Sequence, residues 1–256
     1  LGDRPVHAEM VDWLASSFIQ QGWSQKKMHR LIMLSNTYKM STANNAKAAL
    51  ADPENRLMWR MERRRLEAEP FRDAMLFVSG KLDMTIGGSL LTTPNNDYVT
   101  NDQSGNGAGY NAPRRSLYLP IIRNALFDMF QAFDMGDPSM VVAKRATTTV
   151  APQALYVMNN PFVLEQAKAL ADGLLSDKAA TDTKRIERTY LKLFSRPPHS
   201  AEVAEGIAYL AKYAAALEAK EKDADKRRKM AWDSLCQILL ASNEFCLLYT
   251  SPSPRD

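Results

Sequence analysis

Acid–base or anion chemistry in this chain would have to come from arginines and carboxylates. Arg63, Arg64, Arg65, Glu67, Arg72, Asp73, Arg114, Arg115, Tyr118, Arg123, Asp134, Asp137 and Arg145 supply both. Carboxylates beside arginines can act as acids or bases, and a tyrosine among guanidiniums can help hold an anionic group. Within that set, Arg64, Glu67, Asp73, Arg115, Tyr118, Asp134, Asp137 and Arg145 are the catalytic candidates. The same residue types also build scaffolds, because a guanidinium fork binds a carboxylate bidentately. The stretch 52–83 favours the scaffold, since Glu67, Glu69 and Asp73 lie within helical reach of Arg63 to Arg65. No nucleophile–base set accompanies these residues. His7, His29 and His199 each have a structural explanation: a helix start, the edge of an apolar helix face and a proline-rich turn.

The elements that would have to position these residues are helices. Met10, Trp13, Leu14, Ser17 and Phe18 recur at three and four, which predicts a helix over 7–21, stopped by Gly22. Ser24 caps a second helix ending near Ser41, and a short one fits 42–50. A helix is predicted over 66–82, beginning late enough to keep Pro70 in its first turn. Residues 83–113 form a long polar loop, rich in Gly, Asn, Asp, Ser and Thr from Gly87 onward. They lack the Gly-Lys-Ser/Thr ending of a phosphate cradle. Residues 114–122 alternate as an extended segment interrupted by Pro120, and helical spacing resumes over 124–133. Threonines 147–149 are placed to cap a helix that begins near Ala151. Asn160-Pro161 starts a helix running to Leu175, and further helices are predicted over 183–194, after Ser200, and over 230–245. The charged run 218–229 reads as a solvated helical face or a short linker. The fold class expected is mainly α: a multi-helix domain over 1–245, with helical subregions 7–82 and 114–245 joined by the loop 83–113.

Bulk properties narrow the classes further. A chain of 256 residues can bury a substantial core. Its 33 basic and 29 acidic side chains are interleaved, which speaks against a nucleic-acid partner. No apolar run approaches the ~20 residues that span a bilayer, so no transmembrane segment is expected. Cys236 and Cys246 stand outside any CxxC or CxxCH pattern, so neither a metal site nor a cofactor-binding residue is expected in this chain.

Ordered strings add a resemblance. HAEMVDWLASSFIQQGWSQKKMHRLIMLSNTYKMS, DPENRLMWRMERRRLEAEPFRDAML, RRSLYLPIIRN, FDMGDPS, TTTVAPQALYVMNNPFVLEQAKALA, RIERTYLKLFSRPPHSAEV and LCQILLASNEF follow one another. Together they resemble the planctomycete-type domain of unknown function numbered fifteen fifty-three. The resemblance implies the C-terminal part of a large exported protein that also carries a c-type cytochrome-like domain. It therefore implies a periplasmic or extracellular location. Any haem c would lie in upstream sequence, and the upstream domains of the same polypeptide would be the partners. A fragment is expected, because the chain opens on Leu1 and residues 246–256, CLLYTSPSPRD, resemble a translated sequencing adapter. With that tail set aside, Cys236 remains as a lone, buried thiol.

Two functions follow. The first is an accessory or interaction domain of a cytochrome-linked exported protein. The alternative is an extracytoplasmic hydrolase or oxidoreductase with an arginine- and carboxylate-lined site, its small-molecule or carbohydrate ligand unspecified. A third, carbohydrate or cell-surface binding through the loop 87–113, would need exposed aromatics, for which only Tyr98 and Tyr110 are available.

Overall fold

The computed structural model describes residues 4–62, 64–88, 90, 110–121, 126–142 and 145–248. Its residues group into two compact units, Leu1–Arg64 with Leu247–Asp256, and Arg65–Cys246. The fold is mainly helical. Extended structure among the described residues is limited to the two-residue strands Arg64–Arg65 and Leu247–Leu248 and a bridge between Asp83 and Arg114.

In the first unit, α1 (Ala8–Gln20) and α2 (Gln25–Met33) form a hairpin, followed by α3 (Ala46–Ala51). Gly22, with φ of +72°, turns the chain between them, and Ser24 caps α2 by accepting from the Lys27 N–H. α2 stops at Met33, well before Ser41. There the Ser35 hydroxyl donates to the Ile32 carbonyl and accepts from the Tyr38 N–H, a local alternative to the helical ladder. Asn45 caps α3 through the N–H groups of Lys47 and Ala48. The loop that follows is self-bonded, with Asp52 accepting from Arg56 and Leu57 and Asn55 bonded in both directions to Arg60.

The second unit is built around α7 (Pro161–Leu175), which packs against α4 (Ala68–Ser79) on one side and α10 (Ala224–Leu240) on another. Phe71, Met75, Val163, Ala167, Leu170, Trp232 and Cys236 are buried in that core. Burial also raises the Cys236 thiol above its usual range. α9 (Ser200–Ala216) lies on α10 and on α8 (Asp182–Phe194). Gly206 lets α8 and α9 approach, because a Cβ there would sit 2.9 Å from Ile186 Cδ1. Short helices complete the unit: α5 (Asp128–Ala132), α6 (Ala151–Asn159) and α11 (Asn243–Cys246).

Local signals placed most of these helices. Pro70 occupies the first turn of α4, and Gly80 ends it in the left-handed conformation. Asn160 caps α7 by accepting from the Phe162 N–H. Three expectations are corrected. Residues 116–118 form a 3-10 turn, not an extended run, because Asp73 holds the Ser116 N–H and hydroxyl. Thr148 does not cap α6. Val150 stands at the cap, and its N–H donates to the Gln153 side chain. α10 starts at Ala224, inside the charged run, because Asp223 caps it. Most of the polar loop lies outside the described residues, but its ends meet, with the Asp83 N–H donating to the Pro113 carbonyl at 2.8 Å.

Candidate functional site

The N-terminal end of α4 carries the first cluster. Arg65, 8 % exposed, donates from Nε to the Thr148 carbonyl, from Nη1 to the Leu66 carbonyl and from Nη2 to the Phe133 carbonyl. Its Nη2 also meets Asp134 Oδ2 at 2.6 Å, and its guanidinium covers the Phe133 ring. Asp134 in turn accepts from the Thr148 N–H at 2.7 Å and from the Thr148 hydroxyl. Gln153 donates to that hydroxyl and locks the arrangement. Burial pushes the Asp134 carboxyl up, but the Thr148 donors and Arg65 outweigh it and hold it below the usual carboxylate range. Its oxygens are engaged from several sides, so Asp134 serves as an anchor.

A neighbouring ion triad joins the same end of α4 to Arg145. Arg145 Nη1 donates to Glu67 at 2.9 Å and to Glu69 at 2.8 Å. The Glu69 hydrogen bond is the main reason the Arg145 guanidinium holds its proton more tightly than usual. Glu67 is mostly exposed, so its half of the triad is weak.

The second cluster lies further along α4. Arg72 is 1 % exposed and donates to the carbonyls of Tyr110, Ala112 and Arg114 and to the Ser116 hydroxyl. Asp73 stands 3.6 Å from it, but its oxygens accept from Ser116. Burial lowers the Arg72 pKa, and Asp73 opposes that shift. Burial likewise raises the Tyr156 phenol to about 12. Arg114 donates to the carbonyls of Thr85 and Gly87, with Asp83 at 3.9 Å. Arg114 and Arg115 stand over the Tyr118 ring, 4.4 and 5.4 Å from its centroid. Arg115 Nη2 donates to the Tyr118 oxygen at 3.2 Å. Gly87, the larger influence, and Arg115 draw the Tyr118 phenol below its usual range.

The sequence candidates therefore fall into several groupings. Glu67 pairs with Arg145, Asp134 with Arg65, Asp73 with Ser116, and Arg115 with Tyr118. Asp137 is exposed and closes its own turn by accepting from the Ser139 N–H. Arg64 is exposed in the first unit, while Arg63 and Arg123 lie outside the described residues. Among the described residues, no three His, Cys, Asp or Glu side chains gather as a metal site, and no helix is long and apolar enough to cross a membrane. Tyr110 is buried and stacks on Phe127 with ring centroids 5.2 Å apart, so it offers no exposed ring to a sugar. Tyr98 lies outside the described residues.

Sequence reasoning missed two positions. Thr148 binds the Asp134 carboxylate, and Arg196 clamps Glu202 and Glu244 with four side-chain hydrogen bonds of 2.6 to 2.9 Å. A threonine before a helix signals a cap equally well, so nothing marked Thr148. Arg196 three residues before the α9 cap position, with Glu202 three residues after it, was a readable signal.

Neither a curated protein nor a solved structure matches the chain. A family model does, over residues 1–210: PSD1, protein of unknown function (DUF1553). With most of its length matched, the chain belongs to the PSD1 family.

Proposed function

We propose that this chain is an accessory, interaction domain of a larger exported protein with a c-type cytochrome-like module. Its role is to dock other domains of the same polypeptide outside the cytoplasm. The observation that carries this reading is the uncovered apolar face of the first unit. None of the described apolar side chains before Arg64 is buried. Trp13 is 56 % and Trp23 67 % exposed, and Met10, Val11, Ile19, Ile32, Met33 and Leu34 are exposed with them. A short helical hairpin with so little buried apolar surface gains most of its stability from what it packs against. The closed state of the Arg65–Asp134 anchor supports the same reading, since it leaves a scaffold and not a free acid or base. The ordered motifs support the exported, cytochrome-linked setting, with haem c held upstream.

Hydrogen exchange tests the proposal. Amides of α1 and α2 are compared between the 256-residue chain and the complete reading frame. Slower exchange in the complete protein is expected. Equal exchange in both would remove docking as the role of this face.

A further inference from the structure

Arg72, Arg114 and Arg115 bring three guanidiniums to α4 and the segment 110–118, against two paired carboxylates among the described residues. Asp73 stands near Arg72 and Asp83 near Arg114, which leaves Arg115 as the excess charge. Arg115 is half-buried. Its side chain makes one hydrogen bond, to the Tyr118 oxygen, and no ion pair among the described residues. Its Nε is shielded from solvent and unbonded, as are those of Arg72 and Arg114. An unpaired surface arginine ordinarily keeps its N–H groups wet. The Arg115 Nε is out of a ligand's reach, so Arg115 can meet one only through its Nη groups, of which Nη2 is bonded to Tyr118 and Nη1 has no partner among the described residues.

We infer that Arg115 and Tyr118 form a binding site for an oxyanion carried by a ligand, a carboxylate or a sulfate- or phosphate-like group. The guanidinium fork matches the paired oxygens of such groups, and the Tyr118 hydroxyl adds a neutral donor beside it. Arg114, also against the Tyr118 ring, helps hold that ring in place and adds positive potential. The site does not depend on the docking role of the first unit, since all its residues belong to Arg65–Cys246 or to the 83–88 segment within it.

The full chain, labelled with ¹³Cζ-tyrosine, is titrated at constant ionic strength with sodium acetate, sulfate or phosphate replacing chloride. The Tyr118 resonance is assigned by Tyr118→Phe. A saturable shift is expected, with the midpoint weakened about tenfold or more in Arg115→Gln. Arg115→Lys keeps the charge but not the fork, so it covers the case in which Arg115→Gln fails to fold; it is expected to weaken binding by a smaller factor. Tighter saturation by acetate assigns a carboxylate ligand, and tighter saturation by sulfate or phosphate assigns a tetrahedral one. Two results overturn the site: a shift linear and equal for all anions, or one with the same midpoint in whichever Arg115 variant folds.

Discussion

Arg65 and Arg72 are both buried, lie one before and one within α4, and are neutralised by opposite means. Arg65 meets a carboxylate, Asp134, at 2.6 Å, and three carbonyls take three more of its N–H groups. Arg72 is surrounded by carbonyl dipoles, its nearest carboxylate is bonded elsewhere, and its Nε has no acceptor. One is a charge pair, and the other is a charge held by backbone. At Arg65 the partner is a carboxylate, which a second substitution can make neutral. A charge held by the backbone organises the chain around it, and no second substitution can replace it.

The largest expected effect follows from that contrast. Arg72→Met should cost about 3–5 kcal/mol, because it strands three carbonyls and leaves Asp73 without its cation. Denaturant unfolding measures this, and adding Asp73→Asn should recover almost none of it. Arg65→Met should cost about 3 kcal/mol, because it leaves the Asp134 carboxylate uncompensated and also strands three carbonyls. Here a second change should help. Asp134→Asn keeps a side chain that tolerates the φ of +60° at this position and should recover about 1 kcal/mol. Equal rescue at both sites would erase the distinction between them.

Smaller effects sharpen the comparison. Ser116→Ala removes a hydroxyl that bonds both Arg72 and Asp73, so it should cost about 1–2 kcal/mol. Thr148→Val removes only the hydroxyl at Asp134 while the backbone N–H stays, so about 1 kcal/mol is expected. The smallest effect is the dependence on pH. The folded-state pKa of Asp134 lies below its unfolded value, so its stabilisation is full above the unfolded value of about 4 and is lost as pH falls through the folded value. The stability gap between the parent chain and Asp134→Asn should therefore narrow on acidification below pH ~4, as read by urea midpoints. A gap that widens would show that Asp134 is not stabilised as a carboxylate.

The residues that were legible beforehand act on their neighbours. Ser24, Gly80 and the Asn160-Pro161 pair each satisfy or end a helix within a few positions, so spacing and residue type sufficed. Asp223 obeys the same rule, yet the charge density of the run 218–229 obscured its cap. The site was legible as a list of arginines and carboxylates but not as a set of partners. Asp134 stands 69 positions from Arg65, and Tyr110 and Ala112 stand about forty from Arg72. Periodicity carries no information over such distances.

By itself, then, the sequence determined the helical class, most helix starts and stops, the excess of arginine around α4 and the family. Those properties follow from local hydrogen bonding, hydrophobic spacing and motif order. Only the tertiary structure decided that Asp134 closes on Arg65, that backbone carbonyls hold Arg72, and that Arg115 is left with Tyr118. A buried guanidinium takes whichever acceptors the packed chain brings within about 3 Å, and packing is a property of the whole fold.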